Sequence, residues 1–461
     1  MCDASVGGTG GTWNRNGIIL FGQGGGLLRV PASGGAPQIL TQPDSRRKEG
    51  GHSVPQFLPD GNRFLYFIGS ADADVRGIYA GSLDHPEDRL RILTTDHKVS
   101  YVPPADGGSG FLLWLREQSL LAQPFDQRNL RLEGEATPIA ENVGQSDSEN
   151  AAFFTSDTGL LVYQSRVRPQ MRKLVWMSRD GKTQGEAGKE ENYQQFRLSP
   201  DGTRLAVAIS DGNGNADIWA LDIARAIMSR LTFTPKPRYN PVWSPDGRQI
   251  AYDSRQTGIR QLYRKEASGA DQEEQLTSGP DHKGLSDWSP DGRYLLYQDL
   301  NPKTGFDLGV LTLGGGREPL VLKTPFSKKL AKFSPDGNWI AYMSHESGRD
   351  EVYLRSFPVS GGQWQVSSKG GSLPRWRADG KELYYLEPAS NSMMATGIRM
   401  VGANIQTDPP RKLFTIPPVP GGGFYDVTAD GQRFISFEAV KAEEGPVPLT
   451  VVLNWQAGLQ K

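Results

Sequence analysis

The sequence predicts an all-β protein, a β-propeller assembled from about ten four-stranded blade units. Three observations predict it. The tetrapeptide Ser-Pro-Asp-Gly stands at 199–202, 244–247, 289–292 and 334–337, which spaces Asp201, Asp246, Asp291 and Asp336 by 45 residues each time. The residues around it repeat too: a large apolar residue three before the aspartate (Phe57, Trp243, Trp288, Phe333, Trp376) and an apolar triplet four to six after it (205–207, 250–252, 295–297, 340–342, 383–385). The 55 glycines and 32 prolines of the 461 residues are spread along the chain, as frequent turns between short strands require.

Each element follows from local chemistry. Proline presets φ at the second position of a tight turn, aspartate bonds nearby backbone and glycine accepts positive φ, so Ser-Pro-Asp-Gly joins strands one and two of a unit. Weaker copies stand at 58–61, 377–380 and 428–431, and more degenerate ones at 14–17, 105–108 and 156–159, giving ten units. A third strand often carries an aromatic, as in 217–222, 261–266 and 351–357, and a fourth often ends in Leu-Thr, as at 231–232 and 276–277. One amphipathic helical turn is expected, near 222–229. The recurring aromatics, Trp219, Tyr263 and Tyr353 included, are expected to pack blade against blade.

Bulk properties exclude several classes. A formal net charge of −1 and a pI near 6.6 give no basic excess for nucleic acid or an anionic membrane surface. One cysteine, Cys2, leaves no internal disulfide framework and no cysteine-based zinc cluster. No apolar run approaches the roughly 20 residues of a membrane helix, and the opening residues lack the basic and apolar regions of a secretory signal.

The segments "WSPDGRQIAY" (243–252) and "FSPDGNWIAY" (333–342) resemble the WD-like propeller repeat of TolB and of prolyl oligopeptidase propellers. A further set resembles the extracytoplasmic propeller region of bacterial receptor-type serine/threonine kinases: "GGTWNRNGIILFG" (10–22), "PQFLPDGNRFLYF" (55–67), "GIYAGSLD" (77–84), "LLAQPFD" (120–126) and "LTVVLNWQAGL" (449–459). The kinase motifs themselves are absent: no Gly-rich loop with Val-Ala-Ile-Lys, no His-Arg-Asp, no Asp-Phe-Gly. The resemblance implies an extracytoplasmic sensor or interaction module that binds a protein, a peptide or a small polar ligand. It also implies about two further units upstream, hence two six-bladed rings. Residues 1–169 would then be four units of a truncated N-terminal propeller and 170–461 a six-bladed C-terminal ring. A single irregular ring of eight or ten blades is the alternative. Closure is expected to pair 449–455 with 173–178. Two other functions stay open: the regulatory propeller of a prolyl oligopeptidase-like hydrolase without its catalytic domain, and a periplasmic TolB-like scaffold.

No Gly-x-Ser-x-Gly elbow is present, and none of His52, His85, His97, His282 and His345 forms a pair at metal-ligand spacing, so no catalytic residue and no cofactor is expected. The Gly-rich 22–28 stretch reads as a hairpin turn. His282 precedes an innermost strand, and equivalent positions carry Lys236, Arg238, Tyr239, Lys283, Lys328 and Lys329. Arg238, Tyr239, His282, Lys283, Lys328 and Lys329 would form a basic, partly aromatic rim for an acidic ligand or a peptide end; the competing interpretation is ordinary solvated lysines. Four residues before each turn aspartate stand Arg197, Val242, Asp287, Lys332, Arg375 and Asp426, so Asp287 should meet Lys332, Arg375 should meet Asp426 and, if six blades close, Asp426 should meet Arg197. Asp211, Asn213, Asn215 and Asp217, followed by Asp222, mimic the ligand comb of a calcium loop. Ala216 stands where that loop needs glycine, and the flanks are strands, so a turn is favoured over a metal site.

Overall fold

The computed structural model describes residues 10–459 apart from 105–108, 145–151, 166–169, 212–214, 316–321, 420–423, 441–448 and stretches of one to three residues elsewhere. Among the described residues the strands form ten sheets, and the only helices are 3-10 turns at Ser45–Arg47 and Trp455–Gly458. The helical turn expected near 222–229 is instead a tight turn: the Asp222 carboxylate accepts the Arg225 N–H at 2.9 Å, and Ile227–Arg230 continues as a fourth strand. The fold is an all-β propeller of antiparallel sheets; among the described residues six of the ten sheets have four strands, two have three and two have five.

Six of these sheets have innermost strands that neighbour one another in a closed cycle: Tyr193–Leu198, Arg238–Trp243, Lys283–Trp288, Lys328–Phe333, Ser372–Trp376 and Tyr425–Val427, the last touching the first. We number these blades one to six in that order. The other four sheets, at 11–41, 51–93, 99–140 and 153–164, pack side by side, with Leu20 and Phe64 in one shared core, Leu65 and Leu112 in a second, and Leu113 and Leu161 in a third.

The Ser-Pro-Asp-Gly turns work as their chemistry dictates. In blade one Ser199 Oγ donates to Asp201 Oδ1 at 2.6 Å, that oxygen accepts Thr203 N–H at 3.1 Å, and Gly202 N–H closes on Ser199 O at 2.9 Å. Ser244 with Asp246, Ser289 with Asp291 and Thr428 with Asp430 repeat the hydroxyl–carboxylate bond at 2.6 Å. Gly202 and Gly247 sit at φ +71° and +68°, where a side chain would be strained. Between blades the repeated aromatics are core: Trp243, 4% exposed, packs with Ala206 and Ile218 of blade one and Tyr252 and Tyr263 of its own blade.

Closure differs from the sequence expectation. Residues 173–178 pair with 433–438 on one edge (Lys173 opposite Glu438, Ser178 opposite Arg433) and with Thr183–Glu191 on the other. Blade six is therefore built from two distant segments: Tyr425–Val427 and Arg433–Ala439 inside, Arg172–Ser178 and Thr183–Glu191 outside. Leu449–Leu453 runs elsewhere and pairs with Leu160–Gln164 of the N-terminal sheets. Burial gives the physical reason. In 433–439 four successive residues, Phe434 to Phe437, are buried, as an interior strand covered on both faces requires. In 449–453 every second residue is exposed (Leu449 64%, Val451 55%, Leu453 72%), the pattern of a sheet covered on one face.

Candidate functional site: the central channel

The innermost strands carry the charged layer that their repeat offset predicts. Lys332 Nζ lies 3.2 Å from Asp287, Arg375 Nε 3.3 Å from Asp426, and Arg197 Nη1 3.8 Å from Asp426. A fourth contact, not anticipated, runs past the small Val242: Arg197 Nη2 donates to Asp287 at 2.9 Å. Each carboxylate also accepts a backbone N–H of the next blade, Phe333 on Asp287 and Leu198 on Asp426, both at 2.9 Å. These charges register the blades about the axis. Burial opposes the Arg197 charge, but Asp426 and Asp287 outweigh it and its pKa is raised. Burial likewise pushes the Asp426 carboxyl up, and Arg197 and Arg375 more than reverse it.

On the Ser-Pro-Asp-Gly side this layer is the floor of a funnel of about 580 Å3, walled by turns from blades one, four, five and six, with Trp288 and Pro290 from blade three. Trp376 and the exposed Ala378 stand at its side.

The expected rim divides into two sets. Lys283 turns into its own blade, Arg238 into the seam between blades one and two, and Lys328 back onto the segment that enters blade four. Fully buried Arg238 meets Asp217 at 3.4 Å and Glu273 at 2.9 Å, Lys283 meets Asp299 at 3.2 Å, and fully buried Lys328 donates to Phe326 O at 3.1 Å and to Thr324. Arg238 and Lys328 thus present no cation to a mouth, a correction to the rim as expected. The cause is strand alternation: positions 45 apart share a face, and the next residue takes the other. On that other face Tyr239 lies under Arg260 (5.4 Å) and Lys329 over Phe306 (4.9 Å). His282 accepts the Arg260 N–H on Nδ1 at 3.1 Å; burial, then Arg255, Arg260 and Lys283, push its pKa down to about 3, so it is neutral at physiological pH. Arg255 and Arg260 are the rim residues the sequence did not single out; both lie in the turn between strands two and three, the only local signal being its basic charge. Lys236 is half-buried in the turn entering blade two.

The calcium comb does not gather. Asp211 is tied to Asn215, which donates side-chain Nδ2 at 2.9 Å and backbone N–H at 3.2 Å, and Asn213 lies outside the described residues. Asp217 points away into blade one, accepting Thr232 Oγ1 at 2.7 Å and Arg230 Nη2 at 2.5 Å beside Arg238. Asp217→Ala is expected to cost about 3 kcal/mol, because it strips a carboxylate from a buried arginine. Urea unfolding at pH 7 measures it, and added calcium should not change the wild-type midpoint.

Two clusters carry no sequence signature. Glu382, 4% exposed, accepts Arg179 Nη2 at 2.5 Å, Arg411 Nη2 at 3.0 Å, Arg377 Nη1 at 3.1 Å and Tyr384 OH at 2.8 Å. In the N-terminal sheets Thr41 Oγ1 bonds His52 Nδ1 at 2.8 Å and His52 Nε2 bonds Glu49 at 3.1 Å, a hydroxyl–imidazole–carboxylate relay. Thr41, His52 and Glu49 are 4%, 1% and 2% exposed, so no substrate reaches this hydroxyl, and the relay ties adjacent sheets together.

A closed cycle of blades around a charged channel, with turns of one type on one face, defines a β-propeller. Residues 189–328 match the family model PD40, TolB beta propeller domain. Among solved structures the chain is similar to a protein assigned as TolB from Agrobacterium tumefaciens (17% identity, 59% of this chain and 99% of that one, TM-score 0.46). It is also similar to TolB from Acinetobacter baumannii (13% identity, 84% and 79%, TM-score 0.38). A prolyl endopeptidase matches at 13% identity over 78% of this chain and 50% of its own, TM-score 0.37. Among the described residues no helix is long and apolar enough to cross a membrane.

Proposed function

We propose that this chain is a non-catalytic binding or sensing module, the extracytoplasmic ligand- or protein-interaction region of a bacterial serine/threonine kinase-like receptor, with residues 1–169 joined by 449–459 as one propeller unit and 172–439 as the other. One observation carries the binding role: the funnel, whose wall is turn backbone and aromatic surface and whose floor is charged. Such a concavity, fixed by a rigid scaffold, suits a peptide or a small polar ligand. The receptor assignment rests on the sequence resemblance. Lys329, Arg255 and Arg260, beside the neutral His282, would supply a second, basic contact surface.

The binding role is tested by filling the funnel. Ala378 is exposed at its wall, so Ala378→Trp should leave Tm within about 2 °C while weakening a peptide selected by display on the wild type at least roughly tenfold. An unchanged affinity would place binding elsewhere and overturn the funnel assignment. The receptor role is tested by the genomic locus. A kinase domain and membrane helix upstream support it; a downstream Gly-x-Ser-x-Gly domain favours the hydrolase propeller, and a signal peptide the scaffold.

A further inference from the structure

Beneath the charged layer, on the side away from the funnel, lies a cavity of about 40 Å3. Arg197, Lys332 and Arg375 line both spaces, but Asp287 and Asp426 line only the funnel, so the described lining of the small cavity holds three cations and no carboxylate. One donor there, Ser286 Oγ, lacks a protein acceptor, and Arg197 Nη1 and Arg375 Nε reach Asp426 only as ion pairs at 3.8 and 3.3 Å, without a well-aligned hydrogen bond. Ser286 and Arg375 are 5% and 8% exposed. The rest of the wall is largely apolar. Leu330 and Leu373 enter it from β-bulges at φ +56° and +54°, a left-handed conformation that costs energy for leucine.

We propose that this cavity is a binding site for one small monovalent anion, a halide or a formate-sized carboxylate, held by Arg197, Lys332, Arg375 and Ser286. A buried cation in excess of its carboxylates and an unpaired hydroxyl are both costly, and a low-dielectric wall strengthens the attraction to an anion that enters. The layer has the matching imbalance. Three cations face two carboxylates, and each carboxylate already spends an oxygen on a backbone N–H. Lys332 shows the strain: burial, then Arg197, hold its pKa well below the lysine range, with Arg375 adding to it and Asp287 opposing. The volume exceeds the about 10–15 Å3 a water needs and suits an ion of few atoms. The site stands whether or not the receptor assignment does.

Melting in sodium formate against sodium gluconate at equal ionic strength tests it, gluconate being too bulky to enter. At formate near ten times Kd, wild-type Tm should rise roughly 3 °C more in formate. Lys332→Met leaves two arginines against two carboxylates, so the formate-over-gluconate increment should vanish even where the gluconate Tm itself falls with the lost ion pair. Asp287→Asn keeps the acceptor for Phe333 N–H but leaves three cations against one carboxylate, and should enlarge the increment. Equal wild-type increments in the two salts, or an undiminished one in Lys332→Met, would overturn the site. Should Lys332→Met not fold, a bromide-soaked crystal decides: an anomalous peak among Arg197, Lys332 and Arg375 supports the site, and water there removes it. A carboxylate-ended peptide that displaces bromide, where its C-terminal amide does not, would replace the free ion by a peptide terminus as occupant.

Discussion

Deleting residues 449–461 is expected to unfold the N-terminal sheets and leave the six-blade cycle intact. The deletion removes the strand that pairs residue for residue with 160–164, Leu160 opposite Leu453 through Gln164 opposite Leu449. It also removes Trp455, 6% exposed, from the core of Leu113, Leu161 and Phe153, where its ring meets Phe111 edge-on at 5.5 Å. Losing a buried tryptophan alone costs about 3–5 kcal/mol. For a unit of about 150 residues, that lowers Tm by roughly 10 °C or more. None of the six innermost strands of the cycle uses residues 449–461. Scanning calorimetry should therefore show one transition displaced and one in place. A single transition displaced as a whole would mean that the C-terminal strand closes the cycle after all.

Glu382→Gln is expected to loosen the cycle itself, by about 2–4 kcal/mol. One carboxylate holds three arginines, and removing its charge leaves them facing one another. The estimate lies below the fully buried case because Arg411 is 65% exposed and screened. Arg179 makes this pairing consequential. It sits in the 178–181 turn of the outer half of blade six and also donates to Gly431 O at 2.9 Å, so it ties blade five to both halves of blade six. The pH dependence has a definite sign. Burial raises the Glu382 pKa, but hydrogen bonds from Arg179, Tyr384 and Arg411 outweigh it and the net shift is downward. A carboxyl whose folded pKa is depressed stabilises above its unfolded value, near 4.3, and loses that contribution as pH falls through the folded value. The gap between wild type and Glu382→Gln in urea midpoints should thus be full at pH 7 and narrow below about pH 4. A gap that widens on acidification would mean that Glu382 is protonated in the folded protein at neutral pH.

Much of the architecture is legible in the sequence because its determinants are local. Ser199, Pro200, Asp201 and Gly202 specify a turn within four residues, and the repeat then sets every offset from it. That is why the pairs of Lys332 with Asp287 and of Arg375 with Asp426 could be expected from counting alone. Closure is not local. Two apolar strands near the C-terminus, 433–439 and 449–453, compete for partners hundreds of residues away, and only burial on one face or two separates them. A clue was available at 178–181, where Ser178 and Asp180 repeat the hydroxyl–carboxylate bond of the regular turns and mark a hairpin off the main period. The rim was half legible. Arg238 and Lys329 look alike as letters, but one is the first residue of its strand and the other the second, and alternation sends them to opposite faces. Glu382 and its arginines come from both halves of the chain, so no spacing announces them.

The two-part blade six has a consequence for biosynthesis. Its outer strands are complete once residue 191 has been made, but their partner begins at Arg433, more than 240 residues later. At about 5–20 residues per second the ribosome needs roughly 12–50 s to supply it. Through that interval Arg172–Ser178, with Leu174, Val175, Trp176 and Met177 in a row, has an unpaired edge open to any passing strand. Its one early neighbour, Thr183–Glu191, carries Glu186, Lys189, Glu190 and Glu191, which discourage edge-to-edge association on the far side. The nascent chain is therefore most exposed to misassembly late in synthesis, between the completion of blade one and the arrival of residue 439, and the window closes with the cycle.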